Sequence, residues 1–221
     1  MDNAEIMSLW QSYNKTLDAN LTLNRKNAED ILKMKVSAYV ASMKPFKYVT
    51  LVAGVVWVVA GGVLLTNLIQ FAFAKVSPFF LVSAGLQLLL TAIAIIVYLY
   101  QLVLIHQVDS NAPVLETQER LVQLKLSTLW VTRILFLQLP LWTTFYLTEG
   151  IFRNGSTLFY CIQGGITVFF IYAAYWLFVN INYKNKDQKW FRLLFEGKEW
   201  TPVLKSLDLL SQLNEYTVES K

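Results

Sequence analysis

Few side chains in this chain have the chemistry to do work, and the ones that do lie in apolar surroundings. Arg133 sits inside "LWVTRILFLQLPLW", residues 129–142, with Gln138 five positions on and Gln87 in an earlier apolar stretch. In hydrocarbon such groups either line a path for a solute or tie helices together, since an unpaired one is costly. The usual requirements of a catalyst are missing. The one histidine, His106, has no Cys, His or carboxylate at ligand spacing around it, so no metal site is read. There is no phosphate loop, no G-x-S-x-G and no acidic residue in the long apolar runs. Proton-coupled transport usually needs a carboxylate or histidine in its pathway. The chain reads as a non-enzyme without catalytic, cofactor-binding or metal residues.

The elements that must position these groups follow from where charge is absent. Of 221 residues, 55% are hydrophobic and only 15% are charged, against about 25% in a soluble domain. No charge occurs between Lys47 and Lys75, between Lys75 and Asp109, or between Arg153 and Lys184. Each run exceeds the roughly 20 residues that cross a bilayer. Residues 130–148 make a fourth crossing if Arg133 is tolerated. The expected fold is therefore all-α: a polytopic membrane protein with four transmembrane helices, at 48–70, 78–101, 130–148 and 157–179, and amphipathic cytoplasmic helical extensions. Three regions follow: 1–47, a membrane bundle 48–183 that includes a helical connection 106–129, and a tail 184–221.

Depth then assigns the polar residues. Arg133 lies about 5 Å inside from Trp130, within reach of the headgroups, or else faces inward towards Gln101, Tyr175 and Asn180. Gln87 and Gln138 fall near the midplane and are expected to approach each other between the second and third spans. Pro140 should kink the third span. Gly54 and Gly61, and Gly164 and Gly165, mark faces for close packing.

Orientation follows from the cations. Lys15, Arg25, Lys26, Lys33, Lys35, Lys44 and Lys47 precede the first span; Arg120, Lys125 and Lys184, Lys186, Lys189 and Arg192 flank later ones. Only Lys75 and Arg153 fall in the other two loops, so both termini are expected in the cytoplasm. Residues 1–45 are polar and do not read as a cleavable signal. A net charge of +4 suits topology and anionic headgroups, with no direct nucleic-acid binding expected. The lone Cys161 excludes an intramolecular disulfide. In the short outer loops, Ser77-Pro78 should start the second span and Asn154-Gly155 suits positive φ.

Apolar stripes pattern the cytoplasmic pieces. Ile6, Trp10, Tyr13 and Leu17 share one helix face. After "DANLTLN", Leu32, Val36, Tyr39 and Met43 share another, stopped by Pro45. "DSNAPVLE" reads as a helix start, with Leu115, Val122, Leu126 and Leu129 on one face. Thr201-Pro202 opens a last helix with Val203, Leu207 and Leu210, extended by Leu213 and Tyr216. Trp10, Tyr13 and Leu17 are the expected partner-binding residues, because aromatic anchors dominate interfaces.

Three stretches, "SLWQSYNKTLDANLTLN", "YQLVLIHQVDSNAPVLETQERLVQLK" and "LKSLDLLSQLNEY", together resemble a family of small four-span inner-membrane proteins of Bacteroidota-type bacteria. Members are often encoded near extracytoplasmic-function-type sigma factors. The resemblance implies a bacterial inner-membrane protein linked to transcriptional signalling, and transfers no catalytic or binding residue. The preferred expectation is a membrane-anchored, anti-sigma-like regulator or scaffold holding a cytoplasmic protein, with a sigma factor as candidate. The alternative is a small channel, transporter or accessory subunit in which Arg133, Gln87 and Gln138 line a path. Besides the lipid bilayer and a soluble partner, a homo-oligomer is compatible with the sequence.

Overall fold

The computed structural model describes residues 3–108, 114–195, 197 and 200–218; side chains at 3–5, 114, 152 and 212–218 are outside the description. Among these residues the chain is helical, without strands. Helix α1 (Asn3–Ala41) is followed almost at once by α2 (Lys44–Ala72) and then α3 (Pro78–Gln107). Helices α4 (Val114–Phe136), α5 (Leu141–Thr144) and α6 (Glu149–Asn154) lead to α7 (Thr157–Asn180), α8 (Lys189–Phe195) and α9 (Thr201–Val218). Among the described residues, three helices are long and apolar enough to cross a membrane: the α1–α2 rod, α3 and α7.

The two stripes on either side of "DANLTLN" lie on one continuous helix, α1. Met43 keeps helical φ and ψ of −79° and −23°. Pro45, lacking an N–H, removes one bond of the helical ladder there. Residues 6–75 therefore run as one helical rod of 70 residues with a proline interruption.

The segment 130–148 is not one continuous helix. Helix α4 stops at Phe136, four residues before Pro140, whose ring would meet that carbonyl in an unbroken helix. The backbone instead tightens into three-residue turns: Gln138 N–H donates to Leu135 O at 3.1 Å, Leu139 to Phe136 at 3.2 Å, and Leu141 to Gln138 at 3.0 Å. The proline does more than kink the helix. It converts a stretch of it to a tighter winding.

Packing places these helices in a row. Helix α3 lies against α2 on one side and against α4 and α5 on the other, and α7 packs on α4 and α5. Gly54 and Gly61 face α3, where an added Cβ would meet Ile95 at 3.2 Å and Leu88 at 2.7 Å. Gly164 and Gly165 have open space around them, so they serve no close approach here. Ser77 and Pro78 start α3 as expected, with Ser77 Oγ donating to Leu147 O at 2.5 Å. Gly155 is needed for a different reason from positive φ. Its φ is −70°, but a Cβ there would lie 2.6 Å from Ile151 O.

At the end shared by both terminal helices lies the main core, built from Val36, Val40, Met43, Leu104, Leu121 and Val203 among others. Helix α9 runs antiparallel to α1. Thr201 and Pro202 lie by Ser42 and Phe46, Lys205 lies over Tyr39, and Leu210 joins the cluster with Val36. Val203 and Leu210 are buried as the stripe required, and Pro202 opens the helix; Leu213 and Tyr216 lie outside the described side chains. Val40 takes the core place expected of Tyr39, which stays partly exposed.

Helix α4 buries Leu129 of the expected face but otherwise uses the opposite one. Leu115, Val122 and Leu126 are exposed, while Thr117, Leu121, Leu124, Thr128 and Val131 are buried. Thr128 donates to Leu124 O at 2.8 Å, which satisfies its hydroxyl inside the helix and lets it pack as a small apolar residue. Residues 109–113 of the expected helix start lie outside the described residues.

Gly61→Leu should wedge α3 from α2 and cost about 1–3 kcal/mol, whereas Gly62→Leu, with nothing within 4 Å of its added Cβ, should leave stability unchanged. Thermal unfolding of the two variants in detergent measures the difference; equal midpoints would mean that α2 and α3 do not meet at Gly61.

Candidate functional site

The deepest polar contact joins α2 to α3. Lys47, in the first turns of α2, is fully buried. Its ammonium donates to Gln101 Oε1 at 2.6 Å and sits 4.5 Å from the centroid of the Tyr98 ring. Tyr98 and Gln101 are one turn apart on α3 and so present both groups to the same spot. Hydrogen bonds to a charge contribute about 1.5–3 kcal/mol, and a desolvated cation–π contact about 2. Gln101 Nε2 and, on α9, Ser206 Oγ are buried without a hydrogen-bond partner among the described residues. Lys47 had been counted only as a flanking charge in the sequence, because composition does not distinguish a cation under a helix from one beside it.

Arg133 belongs to another joint. Its Nε donates to Ile181 O at 2.6 Å, just past the end of α7, and its guanidinium lies 5.5 Å from the Trp130 ring. Free carbonyls at a helix C-terminus favour such a cation. The expected inward partners do not hold it: Gln101 is engaged by Lys47, Tyr175 is exposed, and Asn180 donates to Trp176 O. Depth placed Arg133 within one residue of its partner, but the partner is backbone.

Gln87 and Gln138 do not bond each other. Gln138 Nε2 donates to Thr91 Oγ1 at 3.0 Å, and Thr91 Oγ1 donates to the Gln87 backbone carbonyl at 2.8 Å. A threonine between the two positions takes the bond, and the Gln87 side chain instead lines an apolar crevice of about 230 Å³ with Trp57, Gly61 and Trp142. Further polar links continue towards α7: Ser83 with Thr144 at 2.9 Å, Thr143 with Thr167 at 3.2 Å, and Gln163 Nε2 to Thr143 O at 2.6 Å. Gln138 and Gln87 are thus linked only through Thr91, and Arg133 belongs to a different joint.

The residues expected to meet a partner are exposed. Trp10 is 66% exposed, Tyr13 68% and Leu17 44%. They stand on the part of α1 beyond the end of α9, whose 18 residues reach back about 27 Å from Pro45. An isolated helix in water gains little from propensity alone, and this one carries Asn14, Asn20, Asn24 and Asn27.

A second cluster escaped the sequence reading. Phe191 and Phe195 of α8 stack at 4.3 Å and pack on Trp200, Leu129 and Ile181. Five aromatic residues within 183–200 were the available signal. Beside them Lys186 donates to Tyr183 Oη at 3.4 Å, and that bond, with the nearby Tyr183 and Asp187, raises its pKa above the usual lysine value. Its stabilising contact is complete below pH 10.5 and is lost only as pH rises through the raised value. The surface there therefore stays cationic at neutral pH. His106 is exposed in the last turn of α3 and Cys161 is exposed on α7; no metal-ligating cluster occurs among the described residues. No protein-family model, curated protein or solved structure matches this chain.

Lys47→Met and Gln101→Leu should be strongly non-additive. Removing either side chain breaks the same charge-assisted hydrogen bond, so a double-mutant cycle on thermal stability should show about 1.5–3 kcal/mol of coupling. Additivity within about 0.5 kcal/mol would remove the pair as an organising contact.

Proposed function

We propose that the protein is a non-enzymatic, multi-pass regulator or scaffold of the bacterial inner membrane, with both termini in the cytoplasm. It holds a soluble protein through its cytoplasmic helices. The observation that carries this reading is the exposed aromatic arm of α1, with Trp10 and Tyr13 uncovered on a helix that reaches well past the core. A sigma factor is the candidate partner on the strength of the sequence resemblance alone.

A fourth crossing fits the same reading. In residues 130–148, eleven α-helical positions, 130–136 and those of α5, rise about 16 Å, and six more tightly wound ones add roughly 12 Å. Together these approach the 30 Å of a hydrocarbon core. Four crossings return the tail to the side of α1, where α9 packs on it. The distribution of lysine and arginine supports placing that side in the cytoplasm.

Removing residues 1–45 would also remove Val36, Val40 and Met43 from the core, so point substitutions are the cleaner probe. Crosslinked pull-down from native membranes should retain a specific soluble protein with the unaltered chain. Trp10→Ala should reduce that recovery at least tenfold, since an anchor of this kind contributes about 2 kcal/mol or more. Unchanged recovery would show that the arm does not carry the partner.

A further inference from the structure

We infer that the arm of α1 pairs with the same arm of a second copy, as a parallel two-stranded coiled coil. This rests on the proposed function for the shared orientation of the copies in one membrane. With Trp10 and Tyr13 on the seam, the soluble protein is held by the outer faces of the paired arm, and Trp10→Ala lowers its recovery by separating the pair. Ile6, Trp10, Tyr13 and Leu17 are separated by four, three and four residues. The alternation continues through Asn24 to Ile31 and Met34, which are also exposed. An average of 3.5 residues is the period of a left-handed two-stranded seam, with Trp10, Leu17, Asn24 and Ile31 at the a positions.

The remaining exposed apolar side chains obey the same frame. Met7, Leu9, Leu21 and Leu23 all fall at e or g, the positions beside the seam. Lys15, Thr22 and Glu29 mark the opposite face. Nearer the core, Leu32, Val36, Val40 and Met43 are covered by the rest of the protein. Their mean direction lies about 160° around the helix from that of Ile31, Met34 and Ala38. The seam therefore points away from everything this chain packs on α1.

Four features select a second copy over another occupant. Copies inserted with the same topology present their arms in the same direction and at the same height, so each seam residue meets its equivalent without adjustment. Asn20, Asn24 and Asn27 occupy consecutive seam positions, where amides pair across the axis and fix register and strand number. Asp30 at g faces Lys35 at e of the second copy, opposite charges repeated twice by the two-fold axis. A groove bordered by Ile6, Leu9, Trp10 and Tyr13 has the d, g, a, d corners that receive a knob from the facing helix.

Disulfide trapping of the full chain in native membranes tests this. In a Cys161→Ser background, Asn24→Cys on the seam should oxidise to a reducible product of twice the chain mass, and Leu17→Cys should do the same. Thr22→Cys on the far face should give less than a tenth of that yield. Lys35→Glu should reduce trapping at Asn24→Cys, and Asp30→Lys combined with Lys35→Asp should restore it. Equal yields from Asn24→Cys and Thr22→Cys, or no product from either seam position, would overturn the pairing. So would a seam product that mass spectrometry identifies as this chain joined to a different protein, an outcome that keeps the regulator reading. A trapped dimer from membranes in which pull-down finds no soluble partner has the reverse meaning: the pairing stands and the regulator reading fails.

Discussion

A buried ammonium ion constrains its surroundings more than any apolar side chain does, because its desolvation has to be offset at one point in space. Lys47 sets that constraint here. One turn before it, Met43 closes the core shared by α1, α3, α4 and α9. Its bond to Gln101 and its place over Tyr98 fix the start of α2 against α3. Tyr98 in turn belongs to the cluster with Ala94 and Val131, further along the helix row. Two apolar clusters that could slide past each other independently are joined by one cation. The direction of α2 and the exit of α1 both descend from that joint.

The row of helices is held by many small polar links in place of one large one. Ser83, Thr91, Gln138, Thr143, Gln163 and Thr167 each bond locally, between neighbouring elements. In hydrocarbon such links add modest energy individually but together fix rotation, since each requires one face of a helix to meet its neighbour. The tight winding after Phe136 belongs to this pattern. It turns Gln138 towards Thr91 while Arg133, five residues earlier, reaches the end of α7.

How far the sequence could be read depended on whether a residue's neighbours lie along the chain or across it. Charge-free runs announced α2, α3 and α7, and the stripe Val203, Leu207 and Leu210 announced the buried face of α9, because both patterns are local. The face of α4 was misassigned because Thr117 and Thr128 count as polar in a pattern and as small apolar groups once their hydroxyls bond within the helix. The partners of Arg133 and Gln87 were misassigned for the opposite reason: depth restricts the layer, but a threonine or a backbone carbonyl in that layer competes equally with an amide. Lys47 shows the limit most clearly. Nothing in its neighbourhood along the chain separates it from Lys44, and only the arrival of α3 buries it.

The 70-residue rod of α1 and α2 also has mechanical meaning. Held by α9 and the core, it behaves as a lever with one arm embedded in the row and the other extending beyond α9. That outer arm is about 30 Å long, so a tilt of roughly 10° would swing the tip by about 5 Å. That is close to one turn of helix. Changes in lipid thickness that tilt an embedded helix only slightly would be read out at the far end as a displacement the size of a side chain.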